Sequence, residues 1–421
     1  MGSRVRSHNT LPPSSPPSSF SFLDRASHEC EIAGFRSPCI GIAKRSVGGG
    51  KRDLRMGTHG VRTTRTELTS QGPGKAREDD PSDAKGGFGL PSCLGGGGGE
   101  VIAIAYDHNA RRCSVATRDG GTLAVYVKDA SDAWDMEREW TCTGHEVNGT
   151  EGPSPGMEGG LHAGPVTQVA WAHSEFGQVF ASASADGFVC VWFERSPGQW
   201  DLASSFKCSR TPCLCLKFSP HQYGLNLGVS SGDGHIRIYR SEDHTNLSDW
   251  QLTQDLYACG ARSDPSPCPC FCWRPYSQDV PEMLLVGCRS SCSVWSFDGH
   301  LGRWTRVADL AEHDGGDVVE DVDWASPCGK TAELVAFARG AAAFVVQLRE
   351  GPGGVLAVST VARCDHGKGA GTGGGGRVAQ VEWNRLGTTL ATSGDDGVVR
   401  LWRPDLTDEW HEMAAIVGGD G

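Results

Sequence analysis

No run of apolar residues in this 421-residue sequence approaches the roughly 18 in succession that a membrane-crossing helix requires, and the opening residues lack the compact apolar stretch of a secretory signal. From Glu100 onward no cluster of lysine and arginine occurs either. The formal charge of −12 is unevenly spread: residues 1–98 carry 14 Lys/Arg against 9 Asp/Glu, about +5, which leaves about −17 for the remainder. An acidic body without basic clusters excludes direct binding of RNA or DNA, because phosphate contacts draw on grouped basic side chains. The same region has no Gly-x-Ser-x-Gly nucleophile elbow and no Gly-x-x-x-x-Gly-Lys phosphate loop, so hydrolase and nucleotidase readings find no support and no cofactor is implied.

Tryptophan, by contrast, is abundant at 13, and glycine at 58, a usage suited to many short strands pinned by aromatics and joined by turns. Cysteine is odd in number at 17, and several cysteines (Cys190, Cys215, Cys272) stand inside strand-like runs, where a reduced thiol packs as a small hydrophobe. That usage points to a reducing, intracellular compartment.

Residues 1–98 are rich in Ser, Pro, Gly and Arg and sustain neither a period of 2 nor one of 3.6. They are expected to form a disordered tail. A plastid or mitochondrial transit peptide is the other reading of the Arg/Ser-rich start, interrupted early by Asp24 and Glu29, and Met56 offers a second possible start.

From Val101 the chain repeats. The segment Phe180-Ala-Ser-Ala-Ser-Ala-Asp186-Gly187-Phe-Val-Cys-Val-Trp192 matches Leu390-Ala-Thr-Ser-Gly-Asp-Asp396-Gly397-Val-Val-Arg-Leu-Trp402 position by position, and Leu227 to Tyr239, with Asp233-Gly234, is a third copy. Each follows an alternating run that ends in an aromatic: Val166 to Trp171, Cys213 to Phe218 and Val378 to Trp383. Weaker copies run from Cys270 through Trp273 to Trp295, and from Val318 through Trp324 to Phe344. A first copy runs from Val101 to Tyr126. A further strand opened by tryptophan follows most copies, at Trp200, Trp250, Trp304 and Trp410, with Trp140 as the candidate in the first. Four strands per unit and repeats near the length of WD and kelch units predict an all-β fold: a six-bladed WD-repeat propeller over residues 99–421.

In a WD blade the Asp of the turn between the second and third strands, a His before the first strand, a Ser or Thr on the second and the Trp of the third form one buried polar chain, since buried polar groups must be paired. His162, Ser182, Asp186 and Trp192 make the fullest candidate set. The last unit offers Thr392, Asp396 and Trp402, with His366 set apart by a Gly-rich insertion, and the third offers Asp233 and Tyr239. Reading His162, Asp186 and Ser182 as a hydrolase triad conflicts with the recurrence of the Asp-Gly turn in three units. Cys268-Pro-Cys270-Phe-Cys272, with Cys259 before it, invites a zinc reading, but no second knuckle is evident, so a buried strand is expected and no metal. Glu320, Asp321 and Asp323 are expected to be solvated edge charges.

The stretch Trp171-Ala-His-Ser-Glu-Phe-Gly-Gln-Val-Phe-Ala-Ser-Ala-Ser-Ala-Asp186 resembles the second blade of the Seh-type WD-repeat nucleoporins, a sister family of the secretory-coat WD protein. The resemblance continues through Lys217-Phe-Ser-Pro-His-Gln-Tyr-Gly-Leu, Ile236 to Tyr239, Asn246 to Trp250 and Ser393 to Trp402, and covers Val101 to Ile416. It implies an open six-bladed propeller whose gap accepts a blade donated by an α-solenoid nucleoporin in the Y-complex of the nuclear pore, at the nuclear envelope. It also implies a possible second place in the amino-acid-signalling SEA/GATOR complex at the vacuolar or lysosomal membrane. The groove then lies between the first and last units, at Val101, Ile102, Ile104, Tyr106, Val399, Leu401 and Trp410. The alternatives are a COPII-type vesicle coat subunit, which uses the same blade donation, and a propeller adaptor of a ubiquitin ligase, which reads peptides on its top face. The first unit departs from the pattern, with Asp119-Gly-Gly-Thr-Leu-Ala-Val-Tyr126 in place of Asp-Gly-x4-Trp, and insertions occur at Glu146 to Gly160 and Gly367 to Gly376.

Overall fold

A computed structural model describes residues 101–417 apart from 118–121, 131–132, 142–161, 259–269, 279, 290, 311–316, 329–331, 352–354 and 367–375. The N-terminal segment 1–98, Asp119 and most of the two insertions therefore lie outside the described residues.

Twenty-four strands form six sheets of four, each taken from one continuous segment. Blade 1 holds β1 (Val101–Tyr106), β2 (Arg112–Thr117), β3 (Thr122–Lys128) and β4 (Trp134–Thr141). Blade 2 holds β5 (Val166–Trp171), β6 (Val179–Ser184), β7 (Phe188–Ser196) and β8 (Gln199–Lys207). Blade 3 holds β9 (Cys213–Phe218), β10 (Leu225–Ser231), β11 (His235–Ser241) and β12 (Gln251–Tyr257). Blade 4 holds β13 (Cys270–Trp273), β14 (Met283–Cys288), β15 (Ser291–Asp298) and β16 (Arg303–Asp309). Blade 5 holds β17 (Val319–Trp324), β18 (Glu333–Arg339), β19 (Ala342–Glu350) and β20 (Leu356–Asp365). Blade 6 holds β21 (Val378–Trp383), β22 (Leu390–Gly394), β23 (Val398–Pro404) and β24 (Trp410–Val417). Within each blade the strands pair antiparallel in chain order, and the first strands lie innermost, beside those of the neighbouring blades.

The period of two along each strand sends alternate side chains to opposite faces of a blade, so a blade has a core on both sides. In blade 2, Phe180, Cys190, Trp192 and Trp200 pack with Leu123, Val125 and Trp140 of blade 1. Ala181, Ala183, Val189 and Val191, one residue out of step, pack with Leu216, Leu227 and Val229 of blade 3. Equivalent cores join blades 3 and 4 through Ile236, Phe271 and Leu284, blades 4 and 5 through Leu285, Val322 and Phe337, and blades 5 and 6 through Val345, Val381 and Leu390.

The candidate first-unit strand opens at Trp134, not Trp140. Both are even-numbered, yet they face opposite ways, because the register between β3 and β4 shifts between Val125 and Tyr126. That bulge inverts the alternation, leaving Trp134 against Tyr106 on one face and Trp140 against Trp192 on the other. In blade 5 no tryptophan opens the fourth strand, β20.

The charged residues of β17 are not all solvated edge groups. Asp321 accepts from the Val381 backbone N–H at 3.1 Å and Asp323 from that of Trp383 at 2.7 Å, so two carboxylates clip blade 6 to blade 5. Burial pushes the Asp321 carboxyl up to about 6 against the opposing pull of Lys217. Burial by itself would lower the Lys217 ammonium, but Asp321, Cys215 and Asp323 outweigh it and hold its pKa above the usual lysine value. Glu320 pairs instead with Arg377 at a partly exposed site.

Candidate interaction seam and its supporting polar networks

In blade 2 the polar chain begins at the Trp192 indole, whose Nε1 donates to Ser182 Oγ at 3.1 Å, and Ser182 Oγ lies 2.9 Å from His162 Nε2. His162 Nδ1 stands 3.9 Å from Asp186 Oδ2, beyond hydrogen-bond range. Asp186 instead accepts from the backbone N–H groups of Ala163 and Phe188 at 2.6 and 2.8 Å. Its role is to fasten the chain before β5 to the β6–β7 turn, while the histidine is held through its other nitrogen. Gly187 closes that turn at φ +82, and a β-carbon there would stand 2.1 Å from the Ser209 carbonyl oxygen, so only glycine fits.

Blade 6 repeats the pattern with an addition. Trp402 Nε1 donates to Thr392 Oγ1 at 2.9 Å, and His366 Nε2 lies 2.7 Å from the same oxygen. The Gly-rich insertion thus leaves His366 in the chain. Arg400 bridges the gap that is empty in blade 2: its Nη1 lies 2.9 Å from His366 Nδ1 and 2.6 Å from Asp396 Oδ2. In blade 3, Arg237 binds Asp233 in the same way at 2.8 Å. There Ser209 stands at the histidine position and bonds Asp233 at 3.1 Å, Val229 replaces the hydroxyl residue, and Tyr239 packs on Phe206 with ring centroids 4.5 Å apart. The arginine two residues before the third-strand aromatic is visible in both repeats, and its pairing with the turn aspartate is the functional contact that the motif by itself did not reveal.

Burial holds the His162 ring at a pKa of about 4 despite Asp186, and burial with the Arg400 charge holds His366 at about 4 against Asp396. Both rings are therefore neutral in the folded protein at pH 7, while an unfolded histidine titrates near 6.5. The unfolded chain takes up these protons first as pH falls. The stabilisation is thus complete above about 6.5 and is lost as pH falls towards 4, up to about 3 kcal/mol per ring. Asp321 and Glu282, both raised in the fold by burial, work in the opposite direction, while His173, lowered, adds to the two rings. The urea midpoint is expected to fall as pH drops from 7 to 4.5, and a His162→Asn/His366→Asn variant to show a flatter profile. Equal slopes would show that these rings do not set the acid sensitivity.

Cys270 and Cys272 lie buried on one face of β13, packed towards Val319 and Val322 of blade 5. Burial pushes the Cys272 thiol well above its ordinary value, which opposes the thiolate that zinc needs. Cys259 and Cys268 lie outside the described residues. Ten described cysteines stand outside any disulfide, Cys190, Cys215 and Cys272 among them, while Cys288 is disulfide-bonded, so the expectation of reduced thiols does not extend to that position.

Five of the six junctions between blades carry a shared core. Among the described residues none joins blade 6 to blade 1. Ile104, Cys113, Val115, Ala124 and Tyr126 form a cluster confined to blade 1, with Val101, Tyr106 and Trp134 at its margin. On blade 6, Trp383, Leu390 and Trp402 face blade 5, which leaves Val399, Leu401 and the paired Ile416 on the opposite side. The two blades meet at the rim, where Arg385 Nη2 donates to the His108 carbonyl at 3.4 Å. Of the residues assigned to a partner groove, Val101, Ile104, Tyr106, Val399 and Leu401 flank this seam, and Ile102 is the extra residue where β1 slips register. Trp410 does not face it. It packs edge-on against Trp383 at 5.7 Å, on the blade 5 side, because it shares a face with Trp402.

Six four-stranded blades, each built from its own segment and two of them braced by a Trp–Ser/Thr–His chain, define a WD-repeat β-propeller. The WD domain, G-beta repeat pattern matches residues 160–192 and 369–403. The chain is 31% identical to Nucleoporin SEH1 of Osmerus mordax over 342 residues, 76% of this chain and 84% of the relative. It is 30% identical to that of Xenopus tropicalis and 29% to that of Homo sapiens, each with 76% of this chain and 85% of the relative covered. The chain belongs to the SEH1 nucleoporin family and is a structural scaffold, not an enzyme.

Proposed function

We propose that this protein is a scaffold subunit of the nuclear pore coat, and that an α-solenoid nucleoporin fills the seam between blade 6 and blade 1 with a strand or blade of its own. Family membership supports the pore assignment. The observation that supports the partner's position is that, among the described residues, no strand of blade 1 pairs with blade 6 and Ile104, Tyr126, Val399 and Leu401, all buried, flank the junction without forming one shared cluster. An inserted strand would gain both backbone pairing and pockets for alternate side chains.

Mixing the full chain with the solenoid nucleoporin of its own species is expected to give one co-eluting complex on size exclusion. Leu401→Lys, at the seam, is expected to weaken it at least tenfold with an unchanged circular dichroism spectrum. No complex, or a complex indifferent to Leu401→Lys, would overturn the seam reading. Selective capture of a vesicle-coat solenoid would move the protein to the COPII-type role.

A further inference from the structure

Two stretches that mark the family, around His173 and around His221, meet on one rim of the propeller for a reason that the blade cores do not explain. Each innermost strand of blades 2 and 3 is followed by a three-residue 3₁₀ turn, Ser174–Phe176 and His221–Tyr223, which ends in a positive-φ glycine, Gly177 or Gly224. The turns are successive versions of one device. They bring the His173 and His221 rings into a stack with centroids 3.8 Å apart. His108, from the turn after β1 of blade 1, packs edge-on against the other side of His173 at 4.1 Å. Glu175 reaches the same place, its Oε2 being 3.6 Å from His221 Nε2. One ligand atom from each of His173, Glu175 and His221 lies within 4.8 Å of the others.

Three imidazoles from three blades therefore converge beside a carboxylate. Charged rings would repel at such spacing. Nitrogen ligands with a single carboxylate suit a borderline divalent ion of the zinc type, which takes four ligands at about 2.0–2.2 Å and can complete its shell with water.

We propose that His173, Glu175 and His221 form a surface site for a zinc-type divalent cation that ties blade 2 and blade 3 together at one rim, with the His108 ring of blade 1 packed beside it. Parallel rings cannot both direct in-plane lone pairs at one ion, so loading the site turns the His173 ring out of its stack on His221 and releases the bond by which the Glu175 backbone N–H donates to His173 Nδ1 at 3.2 Å, leaving the ring to coordinate through Nε2. Among the described residues the exposed group Asp405, Glu409 and His411 is the other set within ligating distance. The Asp405 carboxylate already accepts three bonds, from the Thr407 N–H and hydroxyl and from the Glu409 N–H, and lies 3.1 Å from His411 Nε2, and the set joins no two blades.

The test is a titration of the full reduced chain with zinc chloride against a chromophoric chelator, with melting temperature followed in parallel. Wild type is expected to bind one equivalent more than Glu175→Gln or His221→Gln, with low-micromolar affinity, and to gain melting temperature on loading that these variants do not gain. His411→Gln is expected to behave as wild type. Equal stoichiometry and affinity in wild type, Glu175→Gln and His221→Gln would overturn the site, as would loss of the extra equivalent in His411→Gln alone. Glu175 is exposed, so its variant folds irrespective of the outcome.

Discussion

Truncating Trp192 to alanine is expected to destabilise the chain by about 3–5 kcal/mol, the range for removing a buried aromatic from a packed core. Its ring is 1% exposed and stacks on Phe180 with centroids 5.9 Å apart and on Trp140 at 4.6 Å, so it occupies the middle of the core between blades 1 and 2. Neither neighbour can collapse into the space, because both stand on paired strands of different blades. The indole also donates to Ser182, which is fully buried. Trp192→Phe separates the two contributions: it keeps most of the packing, leaves Ser182 its bond to His162, and is expected to cost about 1–2 kcal/mol. Urea unfolding of the two variants measures the difference. An alanine variant that loses under 1 kcal/mol would mean that blade 1 rests on blade 2 far less firmly than the cluster implies.

The second large effect lies between blades 4 and 5. Arg274, just after β13, is 3% exposed, and its guanidinium donates to both carboxylate oxygens of Glu333 at the start of β18. Trp324 Nε1 donates to the same carboxylate at 2.8 Å. Removing one partner of a buried pair leaves the other charged without compensation, typically at about 3–5 kcal/mol. Glu333 keeps 27% of its side chain in water and retains the Trp324 bond, so Arg274→Ala is expected at the low end, about 3 kcal/mol. Arg274→Ala combined with Glu333→Gln is expected to recover part of the loss, since the stranded charge is gone. A double variant no more stable than the single would show that packing of the arginine stem, and not its charge, supports the junction.

Both effects concern junctions between blades, and these were unequally legible. Blades 2, 3 and 6 are plain in the sequence because each writes out its Asp-Gly turn and third-strand aromatic, features with a local cause: a left-handed glycine and an aspartate that accepts from nearby backbone N–H groups. Blades 4 and 5 are faint because they solve the same problem with other residues. The turn after β14 places Arg289 at φ 42, and blade 5 replaces the polar chain by stacking Phe337 on Phe344 at 5.0 Å. Trp140 lies near the end of its strand and not at its start, and Trp410 turns towards blade 5 and not towards the seam. A one-residue bulge inverts the face of everything beyond it, and bulges in these outer strands have no glycine or proline to announce them.

The sequence by itself determined the repeat, the all-β class, the number of blades and most of the buried chain residues, His162, Ser182, Trp192, Thr392 and Trp402, because each of these is a local periodicity or a local hydrogen-bond need; His366 joined them only in the structure. Only the tertiary structure decided that Arg400 and Arg237 bind the turn aspartates, that Asp321 and Asp323 clip two blades together, that three histidines gather on one rim, and that the junction of blades 6 and 1 lacks a shared core among the described residues. Those facts depend on which of two faces each strand turns towards its neighbour and, for Asp321 and Asp323, on distances between segments 60 residues apart. A period of two along the chain leaves both undetermined.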